Sequence, residues 1–386
     1  MLRFTYMSQD IRDFIAPSCE LLALGEPTHQ VPATQRLRNE LFARLAGQGF
    51  RSIALEIDRI AALTADDYVR NGTGTLDTAL SEGFSHGWGA MEGNRELLAW
   101  MREYNRTRPP RERLSLHGFD APTENFSAPS PRRYLEHVRD YLGLDLDIAG
   151  LAGDDERWGR TEAIMDAASS PGASPEAGRL RAAAEELLVA LRAREREAPS
   201  REEWIRARAH LTAGLGLLRY HRQAAVPLER NERVTRLMAV RGALMAQNLL
   251  DLHAIEAPRG PMLVHSHNAH LRKSPGGMRV ADLDMHWIGA GAIVASLLGD
   301  RYAFVAGGLG RAGALGVGDP APDTFEGLLG ARITTWGLAP VPSGARTRTD
   351  PVPQRSGYFP LDHATLDGAD AVLFVADPDL VQLARS

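Results

Sequence analysis

The sequence is poor in cysteine and has no excess of charge of one sign. Cys19 is the only cysteine among 386 residues, which excludes an intrachain disulfide and a zinc site built from several cysteines. The 44 basic and 49 acidic residues leave a net charge of −5. A basic surface for nucleic acid or for an anionic membrane is therefore not expected.

Long apolar runs are also missing. No run reaches the roughly 18 residues that span a bilayer, and the first residues lack the basic and then apolar layout of a secretory signal. We therefore expect a cytoplasmic protein that acts on a small molecule.

What the sequence does contain is a series of short apolar runs with helical periodicity between most of them. Alternating strands and helices predict an α/β fold with a mainly parallel central sheet flanked by helices. The runs that predict buried strands are residues 20–24, 52–57, 114–116, 262–265, 302–306 and 371–376.

The pattern changes in the middle of the chain, where Ala, Arg, Glu and Leu dominate and strand-like runs disappear. We predict an α/β core domain from residues 1–150 and 257–386. Residues 151–256 are predicted to be a helical insertion that covers the active-site edge as a lid or substrate wall. Its expected long helices are residues 176–195, 202–222 and 231–255.

Polar residues come directly after four of the predicted strands. In a parallel sheet these strand ends lie at one edge, where open α/β sheets bind ligands. The sequence therefore predicts one cleft that is shared by acidic groups and imidazoles from distant segments. These residues are Glu26 and His29, then Glu56, then His117 and Asp120, and finally His265, His267 and His270.

His29 is the candidate general base. It lies just before a predicted helix that starts near Pro32, and the positive end of the helix dipole favours a neutral imidazole. The alternative is that Glu26 caps this helix and His29 lies on the surface. Glu56 ends an apolar strand and needs a partner, for which Arg38 is a candidate, although Arg38 could equally form a surface salt bridge.

His267 and His270 are three residues apart, so a helix or tight turn would turn them the same way. Such a pair suits metal ligation, or one acid–base histidine beside an oxyanion donor, or a purely structural use. His265 lies inside the strand and is expected to be a core histidine.

Two short motifs are expected to be coincidental. Gly83-Phe84-Ser85-His86-Gly87 matches the nucleophile elbow but follows a helix-like segment instead of a strand. Gly308-Leu309-Gly310-Arg311-Ala312-Gly313 matches a dinucleotide fingerprint, but no amphipathic helix starts after it.

An ordered series of motifs resembles the erythromycin esterase family. Leu24-Gly25-Glu26-Pro27-Thr28-His29 is similar to its Gly-Glu-Ala-Thr-His motif, and His267-Asn268-Ala269-His270 matches its His-Asn-x-His motif. Similar matches between them are Ala54-Leu55-Glu56, the segment from Trp88 to Arg102, Gly118-Phe119-Asp120, and Arg241 with Met245-Ala246-Gln247-Asn248.

The resemblance implies a carboxylic ester hydrolase that opens macrolide lactones or related esters with an activated water and no covalent nucleophile. Members of the family act in antibiotic resistance and occur near genes of natural product biosynthesis. The resemblance implies these catalytic residues: Glu26, His29, Arg38, Glu56, His267 and His270. The residues that we expect to bind substrate are Gln30, His86, Trp88, Asp120 and Asn268.

This sequence departs from the family pattern around both histidine motifs. Pro27 and Gln30 replace the usual Ala and Gly, so the loop is stiffer and an extra amide is expected to reach the cleft. His265-Ser266 replaces the usual Trp-Ala. These changes keep the catalytic residue types but put a macrolide substrate in doubt.

Three alternatives stay open. The same cleft could catalyse a non-hydrolytic biosynthetic reaction, namely elimination, acyl transfer or cyclisation. No cofactor is expected, but a divalent metal held by His29, Glu56, His267 and His270 is an alternative. Finally, the chain could capture a small molecule without turnover.

Overall fold

The computed structural model describes residues 10–124, 126–280 and 283–381. All six predicted strands form, and those predicted at residues 114–116 and 302–306 extend further, to Asp120 and Leu309. The strands are β1 (Leu21–Glu26), β2 (Ser52–Asp58), β3 (Ser115–Asp120), β4 (Met262–His267), β5 (Gly276–Val280), β6 (Leu283–Trp287), β7 (Tyr302–Leu309), β8 (Trp336–Ala339) and β9 (Ala371–Val375).

Seven strands form one sheet in the order β3-β2-β4-β1-β7-β9-β8. Every pairing in this sheet is parallel except that of β8, which runs antiparallel to β9 at the edge. The predicted fold class, a mainly parallel sheet flanked by helices, is confirmed. Strands β2 to β4 lie on one side of β1, and β7 to β9 lie on the other. The strand order therefore changes direction near the centre of the sheet, where such folds bind ligands.

Both faces of the sheet are covered. On β1, Leu22 and Leu24 pack into one apolar core, and Leu21 and Ala23 pack into another on the opposite face. The alternation follows from the strand repeat of two, and burial on both faces explains why these strands are apolar throughout.

The helices before β4 fall into two groups. The first group flanks the sheet: α1 (Pro32–Gly47), α2 (Ala62–Asn71), α3 (Leu76–Glu82) and α4 (Glu92–Asn105). The second group follows β3: α5 (Arg132–Leu142), α6 (Ile148–Ala152), α7 (Glu156–Gly159), α8 (Glu162–Met165), α9 (Pro175–Ala193), α10 (Arg201–Ala224) and α11 (Arg230–Glu256).

The second group of helices has an apolar core of its own. Leu135 of α5, Leu180 and Leu187 of α9, and Trp204 and Leu211 of α10 are buried together in it. The three long helices form within two residues of the predicted bounds. The division of the chain into a core and a helical insertion stays a prediction.

The C-terminal part contains elements that the sequence patterns did not reveal. β5 and β6 form a separate antiparallel hairpin, and the four-residue β8 completes the sheet. The remaining helices are α12 (Asn268–Leu271), α13 (Ala290–Leu298), α14 (Phe325–Gly330) and α15 (His363–Leu366). Within the described residues, no helix is both long enough and apolar enough to cross a membrane.

Candidate active site

The strand register brings the predicted site residues together. In the pairing of β1 with β4, Glu26 lies opposite His267. In the pairing of β2 with β4, Leu55 lies opposite His265, so that Glu56 ends beside Ser266. The carboxyl ends of three adjacent strands thus carry two glutamates and two histidines at one edge of the sheet.

Glu26 and His29 form a hydrogen-bonded pair, with 2.7 Å between Oε1 and Nδ1. The other oxygen of Glu26 accepts a hydrogen bond from the Thr34 hydroxyl at 3.0 Å. Burial raises the pKa of Glu26, but His265 and His29 together hold it far below its usual range. An ionised carboxylate only accepts hydrogen bonds, so Nδ1 of His29 is the donor and its Nε2 is left as the basic nitrogen.

Nε2 of His29 lies 3.7 Å from Oε2 of Glu56. Burial lowers the pKa of His29, but the charge of Glu56 and the hydrogen bond to Glu26 outweigh this and raise it above 6.5. The helix dipole was expected to favour a neutral His29, whereas two carboxylates within 3.7 Å of its ring nitrogens favour the protonated form.

Glu56 is paired with Arg241 of α11, at 3.2 Å between Oε1 and Nη2. Its other oxygen accepts hydrogen bonds from the Ser266 hydroxyl and from the backbone N–H of His267. Burial raises the pKa of Glu56, but His270, His29 and Arg241 lower it well below its usual range. The sequence suggested Arg38 as the partner, and the structure assigns that place to Arg241.

Arg241 also binds Asp120 at the end of β3, where its Nε donates to Oδ1 at 3.0 Å. Asp120 in turn contacts His86, with 3.2 Å to Nε2, and His86 Nδ1 lies 2.7 Å from Glu124. Burial lowers the pKa of His86, but its hydrogen bond with Asp120 raises it above 6.5. One arginine thus links the His29 pair to a second histidine–carboxylate cluster.

Trp88 lies between the two clusters. Its ring is 4.5 Å from the ring of His29 and 5.2 Å from that of His86. His86 has a backbone φ of +59°, in the left-handed region that residues other than glycine seldom adopt. Its ring is bound by the carboxylates of Asp120 and Glu124.

His267 is fixed as a neutral imidazole. Its Nδ1 accepts a hydrogen bond from the backbone N–H of Ala269 at 3.2 Å. Nδ1 therefore carries no proton, and Nε2 donates to the Pro27 carbonyl at 3.2 Å. Burial, with the charge of His29, lowers the pKa of His267 to about 3. Both ring nitrogens are occupied, which leaves His267 without a proton to give to a reacting group.

His270 and His265 contact the two central glutamates. Nε2 of His270 lies 3.3 Å from Glu56, and Nε2 of His265 lies 3.4 Å from Glu26. Nδ1 of His265 donates to the Leu24 carbonyl at 3.0 Å. His265, which was expected to be a core histidine, is therefore buried but also part of the charged cluster.

Two predicted substrate-binding residues point to backbone groups instead. The Asn268 amide donates to the carbonyl of Gly307 at 2.8 Å and accepts from its N–H at 2.9 Å, which ties β4 to β7. The Gln30 side chain is exposed and donates to the Arg355 carbonyl at 2.8 Å. The extra amide was expected to reach the cleft, but it lies outside it. In both cases the amide finds a partner in a neighbouring segment.

A small cavity lies at the centre of these groups. Its volume is about 20 Å³, enough for one water molecule. Glu26, His29, Glu56, Arg38 and Trp88 are among the residues that line it. Arg38 is held by Asn39 and Asn94 at 2.8 and 3.0 Å, and burial lowers its pKa to about 10, so it stays charged at neutral pH.

The metal alternative and the two motifs that were expected to be coincidental have less support from the geometry. Among the described residues, no group of three or more His, Cys, Asp and Glu is arranged to hold a metal ion. The Ser85 hydroxyl accepts a hydrogen bond from the backbone N–H of Asp58 at 2.9 Å. The Gly-rich motif begins at the end of β7 and leads into a short 3-10 turn at Gly313–Leu315. A dinucleotide site needs an α-helix at this place.

Fold and site together define an α/β protein with a buried cluster of histidines and glutamates at the carboxyl edge of a mainly parallel sheet. The profile of the family described as erythromycin esterase matches residues 45–373. The chain belongs to the erythromycin esterase family.

Solved structures show the same fold at low sequence identity. A Bacillus cereus protein matches with 15% identity and a TM-score of 0.67, covering 95% of this chain and 90% of the other. A succinoglycan biosynthesis protein matches with 15% identity, a TM-score of 0.65 and the same coverage. A mutant of erythromycin esterase EreC in its open conformation matches with 16% identity and a TM-score of 0.66, covering 94% and 91%. No curated protein matches the sequence significantly.

Proposed function

We propose that this chain hydrolyses an ester or lactone of a small, largely apolar molecule with an activated water. The observation that carries the proposal is the Glu26–His29 pair at 2.7 Å beside a cavity of the size of one water molecule. A carboxylate that holds one imidazole nitrogen leaves the other as a general base. Membership of a family named for an esterase supports the same reaction class.

In the proposed reaction, Nε2 of His29 removes a proton from the water as its oxygen attacks the carbonyl carbon. The carbonyl π electrons move onto oxygen and form a tetrahedral oxyanion. When this collapses, the bond to the alkoxide breaks, and the proton on His29 passes to the leaving oxygen. The products are an acid and an alcohol, and His29 returns to its neutral form. General acid–base help of this kind contributes about 10²–10⁴-fold.

The remaining groups orient the base and stabilise charge. Glu26 fixes the tautomer of His29, and Glu56 stabilises the imidazolium that forms. Arg38 lines the cavity with its positive charge and is the proposed donor to the oxyanion, a role worth about 10²–10³-fold. His270 supports Glu56. His267 takes no part in proton transfer in this scheme, since both of its ring nitrogens are already bonded.

The helical segment of residues 151–256 is proposed to cover the histidine–glutamate groups at the carboxyl edge of the sheet. Its α11 places Arg241 in the charged network, at 3.2 Å from Glu56. Movement of this segment would change substrate access and the charge around His29 together, as lids of other enzymes do.

The direct test is turnover in heavy-oxygen water with erythromycin A and p-nitrophenyl octanoate as probes. Hydrolysis by water predicts one labelled oxygen in the carboxylate product. A rearranged, dehydrated or transferred product without label would favour the non-hydrolytic alternative and overturn this proposal. Saturable ligand-dependent thermal stabilisation without any product would indicate a binding protein instead.

Dialysis against a chelator separates water activation by His29 from activation by a metal. The proposal expects unchanged turnover after dialysis. A loss of activity that zinc or manganese restores would show that the His and Glu side chains hold a metal ion.

A further inference from the structure

A second and much larger cavity lies next to the catalytic groups. Its volume is about 670 Å³, within the range of pockets for small molecules. Met278 and Trp287 of the β5–β6 hairpin line it, and so do Phe359 and Pro360. His267 lines the cavity at the end of β4, one residue after Ser266, which lines the catalytic cavity.

Two residues that line the large cavity, His267 and Phe359, contact the loop that follows β1. The carbonyl of Pro27 accepts hydrogen bonds from the backbone N–H of Phe359 at 2.9 Å and from the ring of His267 at 3.2 Å. The ring of His267 lies 5.6 Å from that of His29 and 5.2 Å from that of Phe359. A molecule in the large cavity would therefore contact His267 and Phe359, which in turn contact the segment that carries Glu26 and His29.

Two of the residues that line this cavity each have a buried hydrogen-bond donor without an acceptor among the described residues. The donors are Nε of Arg272 and Nε1 of Trp287. Arg272 is 2% exposed and Trp287 is 4% exposed. Such groups are costly to bury alone, and both are donors only, so what they lack is an acceptor.

The positive charge of Arg272 is also poorly compensated. Its Nη2 donates to the Gly277 carbonyl at 3.1 Å, and its Nη1 lies 3.5 Å from the Thr365 hydroxyl. The carboxylate of Asp362 is 3.8 Å away, and its other oxygen already caps α15 through the N–H of Thr365. A guanidinium with spare donors binds a carboxylate well.

We propose that this cavity is the substrate pocket and that Arg272 and Trp287 bind a carboxylate of a substrate with an apolar body. The proposal rests on the proposed function for the identity of the reaction but concerns a separate group of residues. It narrows the substrate class to esters or lactones that carry a second, anionic group away from the bond that is cleaved. Met278 and Phe359 would contact the apolar body.

The test measures binding and does not depend on turnover. The probes are 2-naphthoate and its neutral analogue 2-naphthamide, titrated calorimetrically into the full chain. We expect the carboxylate to bind the wild-type protein at least about tenfold more tightly than the amide, as for hydrogen bonds to a charged group. Arg272→Gln should bring the ratio of the two dissociation constants close to one.

Matched variants separate the pocket from the fold and from catalysis. Arg279 lines the same cavity, but its side chain is 77% exposed and paired with Asp284, so Arg279→Gln should keep the ratio. Trp287→Phe keeps a ring and removes one donor, and it should lower the ratio even if Arg272→Gln fails to fold. His29→Ala should keep the ratio while losing turnover.

Three results would overturn the proposal: no binding of either probe to the wild type, equal binding of both, or a preference that persists in Arg272→Gln. Hydrolysis of neutral esters together with equal binding of the probes would leave the proposed function intact and remove only this substrate class. Preferential binding of the carboxylate without turnover of any ester would support the carboxylate site and contradict the proposed function.

Discussion

Glu56 and Arg241 are 185 positions apart in the chain, and their side chains meet at 3.2 Å beside the candidate base. Glu56 ends a central strand and Arg241 lies in the middle of α11, so the contact joins the sheet to the helical segment. Asp120 binds the same guanidinium. Three charged groups from three elements therefore depend on one another in a buried site.

Arg241→Met should destabilise the protein by about 3–5 kcal/mol, because it leaves Glu56 and Asp120 buried without their cation. Urea unfolding at pH 7 measures the change. The control is Arg236→Met on the same helix, where an exposed arginine pairs with Glu232 and little change is expected. A cost below about 1 kcal/mol for Arg241→Met would mean that the network contributes little to the folded state.

Glu56→Gln should move the acidic limb of the pH profile of kcat/KM to lower pH. His29 acts as a base when neutral, so activity rises with pH through its pKa, which the charge of Glu56 helps to raise above 6.5. Removing that charge lowers this pKa, so the limb shifts downward although the maximal rate falls. Glu96→Gln, at an exposed pair with Arg36, is the control and should not shift the limb. An upward shift in Glu56→Gln would contradict the assignment of His29.

Asn268→Ala should cost about 1–3 kcal/mol of stability, because it removes two buried hydrogen bonds to Gly307. The matched control is Asn231, whose amide bonds the N–H and carbonyl of Asp284 in the same way, but on the surface. Asn231→Ala should cost less than about 1 kcal/mol. If both variants cost the same in thermal and urea unfolding, the structural role assigned to Asn268 fails.

Much of the fold could be predicted from the sequence, because buried parallel strands are apolar throughout and long helices have clear boundaries. The meeting of Glu26, Glu56 and His267 was also predictable, since parallel strands end at a common edge. The β5–β6 hairpin and β8 were not, because they are short and the packing around them determines their structure.

The roles of individual side chains were harder to predict than their positions. Arg241 belongs to one of the motifs that resemble the family, but only the tertiary structure shows that it is the arginine that contacts Glu56. The protonation of His267 depends on backbone groups of Pro27 and Ala269, and no residue pattern encodes that contact. For the same reason the amides of Gln30 and Asn268 were expected in the cleft, whereas each binds a neighbouring backbone segment.

The most direct test of the account is a double-mutant cycle on Glu26 and His29, measured as kcat on whichever of erythromycin A and p-nitrophenyl octanoate is hydrolysed faster. If the pair acts as a unit, His29→Ala should lower kcat by at least about 10²-fold, and Glu26→Gln added to it should cause little further loss. Circular dichroism would verify that each variant is folded. Near-normal kcat in His29→Ala, or a double variant slowed by the product of the two single effects, would contradict the claim that Glu26 works through His29 to activate water.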